Sequence, residues 1–581
     1  MIPLMLLALA VAYAAPVFSP LTAVHSGDAV KDFDWLKIAA FEHHARQSLA
    51  QGGLAFWCPY FGGGYPLVAH PEDASLSPLT LPSYLVGEAV GMKIQFVLAL
   101  FFGAWGIFLV ARRVFAQSIP AAVTAAVALL FSGWMAWRLH YGWPMHFGYF
   151  LFPFAFYFLV RAVEDLRWLL AATAVMVVIL QQIAQGLPFF FLFLLAWALS
   201  VDIARRKQRP RFGRTLLVIA LTLLTALAGA VKTAGLLRLL AANPRAVPYE
   251  LYQPLEHFYA GLGDWLRFLV FEQDVYFKNI GLGPWLVFLA LAGLIFAFRR
   301  LWPLLPGFVL FIWIGLGPNA PVDLFAVLHR LPVFGSMHWP MKYVNFFIAF
   351  TVCLLAGGAI DFIVRRTTGR WRVVVAAVGI VPLIPLAMLH MRLLDASFTQ
   401  SDPPPTARGE VTEFRQIAAY PNAPRGAGRP EAATMYWAML RNQGVIDWDG
   451  DLLLPENAVP AERVMDDGSR VPVPEYRGEV WFEGEGAVDS FEVGVNRFRV
   501  TGTAESLGWL IVNQNYDPAW CGTPGEVQSA DGLLAMPVNP GPFEALFVYR
   551  PTWFFTGLAI SLLTWLVLGL FWWSETRRLK Q

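Results

Sequence analysis

The sequence predicts a polytopic α-helical membrane protein of about twelve transmembrane helices, with an extracytoplasmic, mainly-β, sandwich-like domain before the last one. Three observations predict it. Of 581 residues, 57% are hydrophobic and only 14% charged, against about a quarter charged in soluble domains, and the mean hydropathy is +0.52. The apolar residues gather in runs of about 17–25, the length that crosses a hydrocarbon core as a helix. In the second half of residues 394–551 these runs give way to alternation with period two, the mark of strands.

With a window of about 19 residues, spans fall at 3–18, 92–111, 119–137, 145–160, 169–184 and 187–201. Six more follow at 215–235, 282–298, 301–316, 343–364, 373–393 and 552–573. The first lacks a basic leader and a small-x-small cleavage site, so it reads as a retained anchor. The loops test the count independently, because cytoplasmic loops collect Lys and Arg. With the N-terminus inside, the inside loops hold Arg112/Arg113, Arg161/Arg167, six cations between Arg205 and Arg214, Arg299/Arg300, and Arg365/Arg366/Arg370/Arg372. The tail adds Arg577, Arg578 and Lys580. Every inside loop is basic, and both termini are expected in the cytoplasm.

This divides the chain into a membrane domain, 1–393, with outer loops at 19–91 and 236–281, an outer β-rich domain, 394–551, and a last helix with a basic tail, 552–581. The outer domain holds 23 Asp/Glu, 11 Arg and no Lys, a composition the positive-inside rule allows on the far side. Its opening run SDPPPTARGEV reads as an extended linker. Alternation in Ser490-Phe-Glu-Val-Gly-Val-Asn-Arg-Phe-Arg-Val500 and Phe543-Glu-Ala-Leu-Phe-Val-Tyr549, punctuated by Gly, Pro and Asn, predicts a small sandwich. No repeat of fixed period is present.

Lys+Arg 43 against Asp+Glu 41 leaves a net charge of +2, which offers nothing to nucleic acid. The three cysteines have no metal-ligand spacing. Cys58 and Cys521 both lie outside, where they are either free or a disulfide, and Cys353 is a buried helix residue.

The first outer loop concentrates the chemistry. It carries Asp28 just past the membrane exit, then Asp32, Asp34, Glu42, Glu72 and Asp73, with His25, His43, His44 and His70 among them. Between Asp32 and Gln51 the apolar spacing predicts an amphipathic helix on the outer membrane surface. A carboxylate at the bilayer exit suits a general base, or a ligand for a divalent cation set against a phosphate leaving group; it equally suits a helix N-cap. The run Trp57-Cys-Pro-Tyr-Phe-Gly-Gly-Gly-Tyr-Pro66 presents Trp57, Tyr60 and Tyr65 for stacking on a sugar or for anchoring in the aromatic belt. Gly62–Gly64 read as turns, and no phosphate-binding glycine loop is found on the inside.

Gly27-Asp28 after the first span, the 57–66 run and Ser77-Pro78 together resemble the first outer loop of the bacterial YfhO family of membrane proteins. Leu331-Pro-Val-Phe-Gly-Ser-Met-His-Trp-Pro-Met-Lys-Tyr343 resembles the family's outer entry into a helix, and Asn515-Tyr-Asp-Pro-Ala-Trp-Cys-Gly522 its strand turn. The resemblance covers nearly the whole chain. Where the family shows Arg-x-Pro-x-Arg, this chain has His338-Trp-Pro-Met-Lys342, a point donor in place of a fork. The family is similar in layout to the GT-C superfamily of glycosyltransferases, which take sugar from a polyprenyl-phosphate carrier on the outer face.

That resemblance implies a GT-C-like transferase in a bacterial cytoplasmic membrane, with Asp28 as base or metal ligand. Its partners would be a polyprenyl-phosphate sugar donor, membrane lipid and a cell-envelope glycan or lipid acceptor. Cations near outer helix ends are scarce, so Arg138, Lys232, Arg245, His338 and Lys342 are candidate phosphate contacts beside Glu72 and Asp73; the alternative for Arg138 and Lys232 is snorkelling. Gln181, Gln182 and Gln185 suit sugar hydroxyls or helix–helix hydrogen bonds. Two other readings stay open: a non-catalytic envelope assembly protein that binds glycan through its β domain, and a lipid-linked glycan transporter.

Overall fold

The computed structural model describes residues 1–25, 29–205, 213–242, 259–270, 279–331, 333–335, 337, 340–397, 400–401, 413–418, 431–447, 457–465 and 469–578. Within 24–25, 29–33, 400–401, 431–434 and 464 only the backbone is described. Asp28, Arg245 and His338, and most of the Pro-rich run after Ser401, lie outside the described residues.

Pro in the first turn, where its missing N–H costs nothing, opens the helices Ile2–Ala14, Ile119–Leu130, Phe152–Ala162 and Leu187–Ala204. Eight helices among the described residues are long and apolar enough to cross a membrane, or nine if Gly213–Ala228 and Ala230–Ala242, bent by 83°, form one span. The other three expected spans fall on shorter apolar helices, Ile2–Phe18, Trp168–Gln182 and Gly283–Phe296. Each expected run is therefore helical, but length supports eight or nine crossings and not twelve. The helix Pro340–Val364 is the pillar of the bundle: it is buried along nearly its whole length and packs against Gly283–Phe296, Ile119–Leu130 and Leu305–Leu316.

The two ends of that pillar meet different chemistry. Tyr343 donates through its hydroxyl to Gln185 Oε1 at 3.3 Å on the side of the first loop, whereas Asp361 pairs with Arg300 and Arg365. Eighteen residues of helix rise about 27 Å, close to the thickness of a hydrocarbon core. One end of the bundle is basic and the other carries the β-rich domain.

That domain contains two four-stranded antiparallel sheets. One has the order Gly486–Gly494, Arg497–Ala504, Gly541–Tyr549, Trp520–Thr523; the other Gln528–Ala530, Leu533–Val538, Gly508–Asn515, Val480–Glu483. Their shared core includes Phe498, Val500, Leu510, Val512, Leu534, Met536, Ala545 and Phe547. The alternating run 490–500 is not one strand: it folds into a hairpin at Val495 and Asn496, and Asn496 sits at φ 56. Hairpin partners keep the alternation in step on both sides of the turn, which is why the run looks continuous in the sequence. A third, mixed sheet of Gln443–Val445, Arg415–Ala418, Glu462–Val464 and Arg470–Pro472 precedes the sandwich. Its strands are three or four residues long, too short to show a period.

The helix expected on the membrane surface is Ala29–Ala50, and it does not lie there. Residues 34–42 are buried without interruption, because helix Glu431–Leu440 covers one side while the first-loop helices and Glu88–Leu109 cover another.

The 57–66 run joins the two domains. Trp57 is 2% exposed and sits in the sandwich core, edge-on to Trp520 at 5.1 Å and tilted on Tyr549 at 5.0 Å. Its backbone N–H donates to Asn496 Oδ1 at 2.9 Å and its Nε1 to Gln514 Oε1 at 3.1 Å. Gly62, Gly63 and Gly64 have φ of 61, 77 and 99, backbone that favours glycine, and a side chain at Gly64 would run into Gln514 and Trp57. Asn515 Nδ2 donates to the carbonyls of Gly62 and Gly64 at 2.6 and 3.0 Å. Cys58 is buried and Cys521 exposed; both are free. Trp57→Ala is expected to cost about 3–5 kcal/mol, read as a lowered melting temperature of the purified protein with faster proteolysis of the 51–87 loop. An unchanged melting temperature would show that the domain holds without this anchor.

Candidate functional site

Below the docked loop, charged side chains are buried in two neighbouring groups. In the first, Lys37 pairs with Asp34 at 2.5 Å and Glu72 at 2.8 Å. Gln185 Nε2 donates to Glu72 Oε1 at 3.2 Å. Lys232, fully buried, donates to the carbonyls of Val68, His70 and Asp73 at 3.2, 2.6 and 2.6 Å and lies 3.7 Å from Asp73 Oδ2. Burial pushes the Asp73 carboxyl above its ordinary range, against the opposing pull of Lys232. Lys232 and Asp73 thus stitch the first loop to helix Ala230–Ala242. An ammonium can make three hydrogen bonds, and loop carbonyls take all three.

The second group is where the candidate cations meet. Arg138 lies on helix Gly133–His140, and a turn at Gly142, φ 77, brings the Trp143 N–H back to the Arg138 carbonyl at 2.9 Å. The Trp143 ring consequently lies 5.0 Å from the Arg138 guanidinium and 5.2 Å from Lys342 Nζ. Arg138 is 1% and Lys342 5% exposed. Asn345, one turn along from Lys342, accepts from Trp134 Nε1 at 2.6 Å and Arg138 Nη2 at 3.2 Å. Two cations more than 200 residues apart in sequence share one indole, and buried charge at membrane depth is expensive to keep.

Beside them are further polar groups, of which the sequence singled out Gln181 and Gln182 but not His146 or Tyr149. His146 is 0% exposed, with its ring 5.6 Å from Trp143 and stacked on Tyr149 at 5.6 Å. Neither ring nitrogen of His146 has a hydrogen-bond partner among the described residues, nor does the Tyr149 hydroxyl, Gln181 Oε1 or Gln182 Oε1. Gly148 packs against Gln182, and Gly186 against the Tyr149 hydroxyl, so the groups adjoin. Buried polar atoms ordinarily find partners, and several orphans beside two cations suit a polar, anionic ligand. His146 and Tyr149 lie in an aromatic run that reads as core. No periodicity separates them from their Phe neighbours.

The groups connect. Lys342 is followed by Tyr343, which reaches Gln185, then Glu72, then Lys37 on helix Ala29–Ala50. Asp28 precedes that helix in sequence. The stacking surfaces expected of the loop aromatics are taken up by protein: Trp57 by the sandwich, Tyr60 by His44 and Phe414 at 5.5 and 5.6 Å, and Tyr65, 1% exposed, by His70 at 5.6 Å. Tyr60 also donates to Asn442 Oδ1 at 3.1 Å. Among the described residues no three His, Cys, Asp or Glu side chains converge to hold a metal.

Glu42, on the same helix, accepts from Gln95 Nε2 at 2.9 and 3.2 Å. Burial, with added repulsion from Glu88 and Asp73, pushes its carboxyl from 4.5 up to about 8. The folded protein therefore holds a proton there that the unfolded chain releases, and stability is expected to fall as pH rises from about 4.5 to about 8. Glu42→Gln should remove that part of the slope, read as the difference in melting temperature between variant and wild type across pH 5–9. Parallel curves would place the proton elsewhere.

No protein-family model matches the chain, and no curated protein matches it. Solved structures do. The arabinofuranosyltransferase AftD from Mycobacteria is similar over 72% of this chain and 29% of its own, with a TM-score of 0.47 and 15% identity. The Archaeoglobus fulgidus oligosaccharyltransferase in its apo form is similar over 77% of this chain and 64% of its own, at 0.44 and 11%. AglB from the same organism, solved with an inhibitory peptide and a dolichol-phosphate, is similar over those same shares at 0.41 and 14%. This chain spans less than a third of the first and just under two thirds of the others. At these scores, residue roles rest on this chain's own geometry.

Proposed function

We propose that this chain is a GT-C-like membrane glycosyltransferase, which moves a sugar from a polyprenyl-phosphate donor to a cell-envelope acceptor at the outer face of a bacterial cytoplasmic membrane. The observation that carries the reading is the convergence of buried Arg138 and Lys342 on Trp143, beside the unpartnered nitrogens of His146. A lipid-linked donor has an apolar tail, an anionic phosphate at headgroup depth and a sugar in water. A site for it needs an apolar wall, cations and hydrogen-bonding groups at one level.

In the proposed transfer, the acceptor hydroxyl attacks the anomeric carbon, its proton passes to a carboxylate, and the sugar–phosphate C–O bond breaks with its electron pair going to the phosphate. Arg138 and Lys342 stabilise the charge that grows there. Asp28 is the proposed base, and the helix that follows it is tied to Lys342 through Glu72, Gln185 and Tyr343. A divalent cation at Asp28 would supply further neutralisation, while the proton transfer needs protein groups alone. Gln182 and Tyr149 are placed for hydroxyl or phosphate oxygens. Arg245 stays a proposed phosphate contact as one of the scarce cations near outer helix ends, and His338 on the strength of the sequence resemblance.

The test is transfer of labelled sugar from a polyprenyl-phosphate donor pool in membranes with equal protein levels. Lys342→Gln and Asp28→Asn should each lower transfer about 100-fold or more. His146→Phe replaces the imidazole with an apolar ring, so it should lower transfer while the protein accumulates to the wild-type level. Equal transfer by all variants would remove these residues from catalysis. Failure of the wild type across several donors would favour the assembly or transport readings.

A further inference from the structure

At the basic end of the bundle, helix Pro340–Val364 and the turn around helix Phe298–Leu301 enclose a groove of about 570 Å³. Four arginines line it: Arg299 and Arg300 from one side, Arg365 and Arg366 from the other. We propose that this groove binds the headgroup of an anionic phospholipid. The inference goes beyond sugar transfer and stands whether or not the chain performs it.

The charge in the groove is unbalanced by construction. Among the described residues its one carboxylate, Asp361, already accepts from Arg300 at 2.5 Å, Arg365 at 2.7 Å and the Ser118 N–H at 2.6 Å. Both guanidiniums reach the same oxygen, so they are drawn together at the groove floor. Four positive charges against one leave an excess that a phosphodiester would meet. A zwitterionic headgroup brings an ammonium of its own into the same field and gains less.

The walls are ordered for such a guest. Phe296 and Phe362 stack at 4.4 Å with 19° between their planes. The Arg366 guanidinium lies 3.5 Å over the Phe362 ring and donates to the Phe362 carbonyl at 3.0 Å, which holds it in place before any ligand arrives. Stacking of this kind is a property of arginine that lysine does not share. Ile295 and Phe298, 72% and 49% exposed, continue the lining with apolar surface of the kind an acyl chain would cover. The positive-inside rule explains arginines at this end. It does not explain why they line one groove with an aromatic stack, an arrangement that matches basic lipid sites between transmembrane helices. The apolar lining distinguishes a lipid from free phosphate.

The experiment is native mass spectrometry of the detergent-purified full chain, titrated with phosphatidylglycerol and phosphatidylcholine. Arg299→Gln/Arg366→Gln is the informative variant, because it leaves Arg300 and Arg365 to neutralise buried Asp361. Arg577→Gln/Arg578→Gln removes the same charge from the tail as a control. The wild type should retain phosphatidylglycerol about tenfold over phosphatidylcholine, the groove variant about equally, and the tail variant like the wild type. Should the groove variant prove unstable in a melting scan, Phe362→Leu decides instead, since it keeps all four arginines and should still lose preference. Equal retention by the wild type, an equal loss in both double variants, or displacement of the lipid by millimolar inorganic phosphate would each overturn the proposal.

Discussion

The structure depends on the docking of one glycine-rich loop into the β-rich domain. A loop buried between two domains brings backbone groups that must be paired, and residues 57–66 find their partners in side chains of the far domain. Asn515 serves the Gly62 and Gly64 carbonyls, Gln416 and Gln514 the Pro59 carbonyl, and Asn496 the Leu54 carbonyl and the Trp57 N–H. The loop crosses more than 350 residues of sequence to do so. Once it is seated, its continuation from Val68 to Asp73 is in place for Lys232, and Glu72 for Lys37 and Gln185. Arg238, paired with Asp517 at 2.8 Å, adds a direct tie between bundle and domain.

Buried polarity has two forms in this chain, and the contrast locates the site. Around the loop the cations are paired: Lys232 spends its donors on carbonyls, and Lys37 sits between two carboxylates. Such a network resists change, because removing one partner leaves a buried charge uncompensated. Around Trp143 the cations are gathered, but His146, Tyr149 and Gln182 keep atoms without partners among the described residues. Fold stability alone would favour apolar residues there. Unsatisfied groups in a native core call for an explanation, and a polar guest supplies one.

The bundle also separates its charges by depth. At one end two cations are buried around one indole; at the other, arginines stand in pairs at the rim, half-exposed around one carboxylate. The same helix, Pro340–Val364, supplies Lys342 to the first and Asp361 to the second. A rigid helix about as long as the hydrocarbon core is thick gives the two ends different neighbours without any further device.

The sequence by itself determined what rests on composition and period. Apolar runs placed the helices, Lys and Arg counts gave a consistent sidedness, and alternation in residues 490–500 and 543–549 announced the sandwich, because burial of one helix or sheet face repeats along the chain. It also picked out Arg138 and Lys342, cations that stand against the charge bias. Tertiary structure alone decided the rest. It converted the expected surface helix Ala29–Ala50 into a buried one, set the loop aromatics into protein packing, gave Lys232 to the loop carbonyls, and raised His146, Tyr149 and Asn345 from apparent core residues to neighbours of the two cations. None of these could be read locally, since each is a contact between segments whose separation in sequence carries no period and no spacing rule.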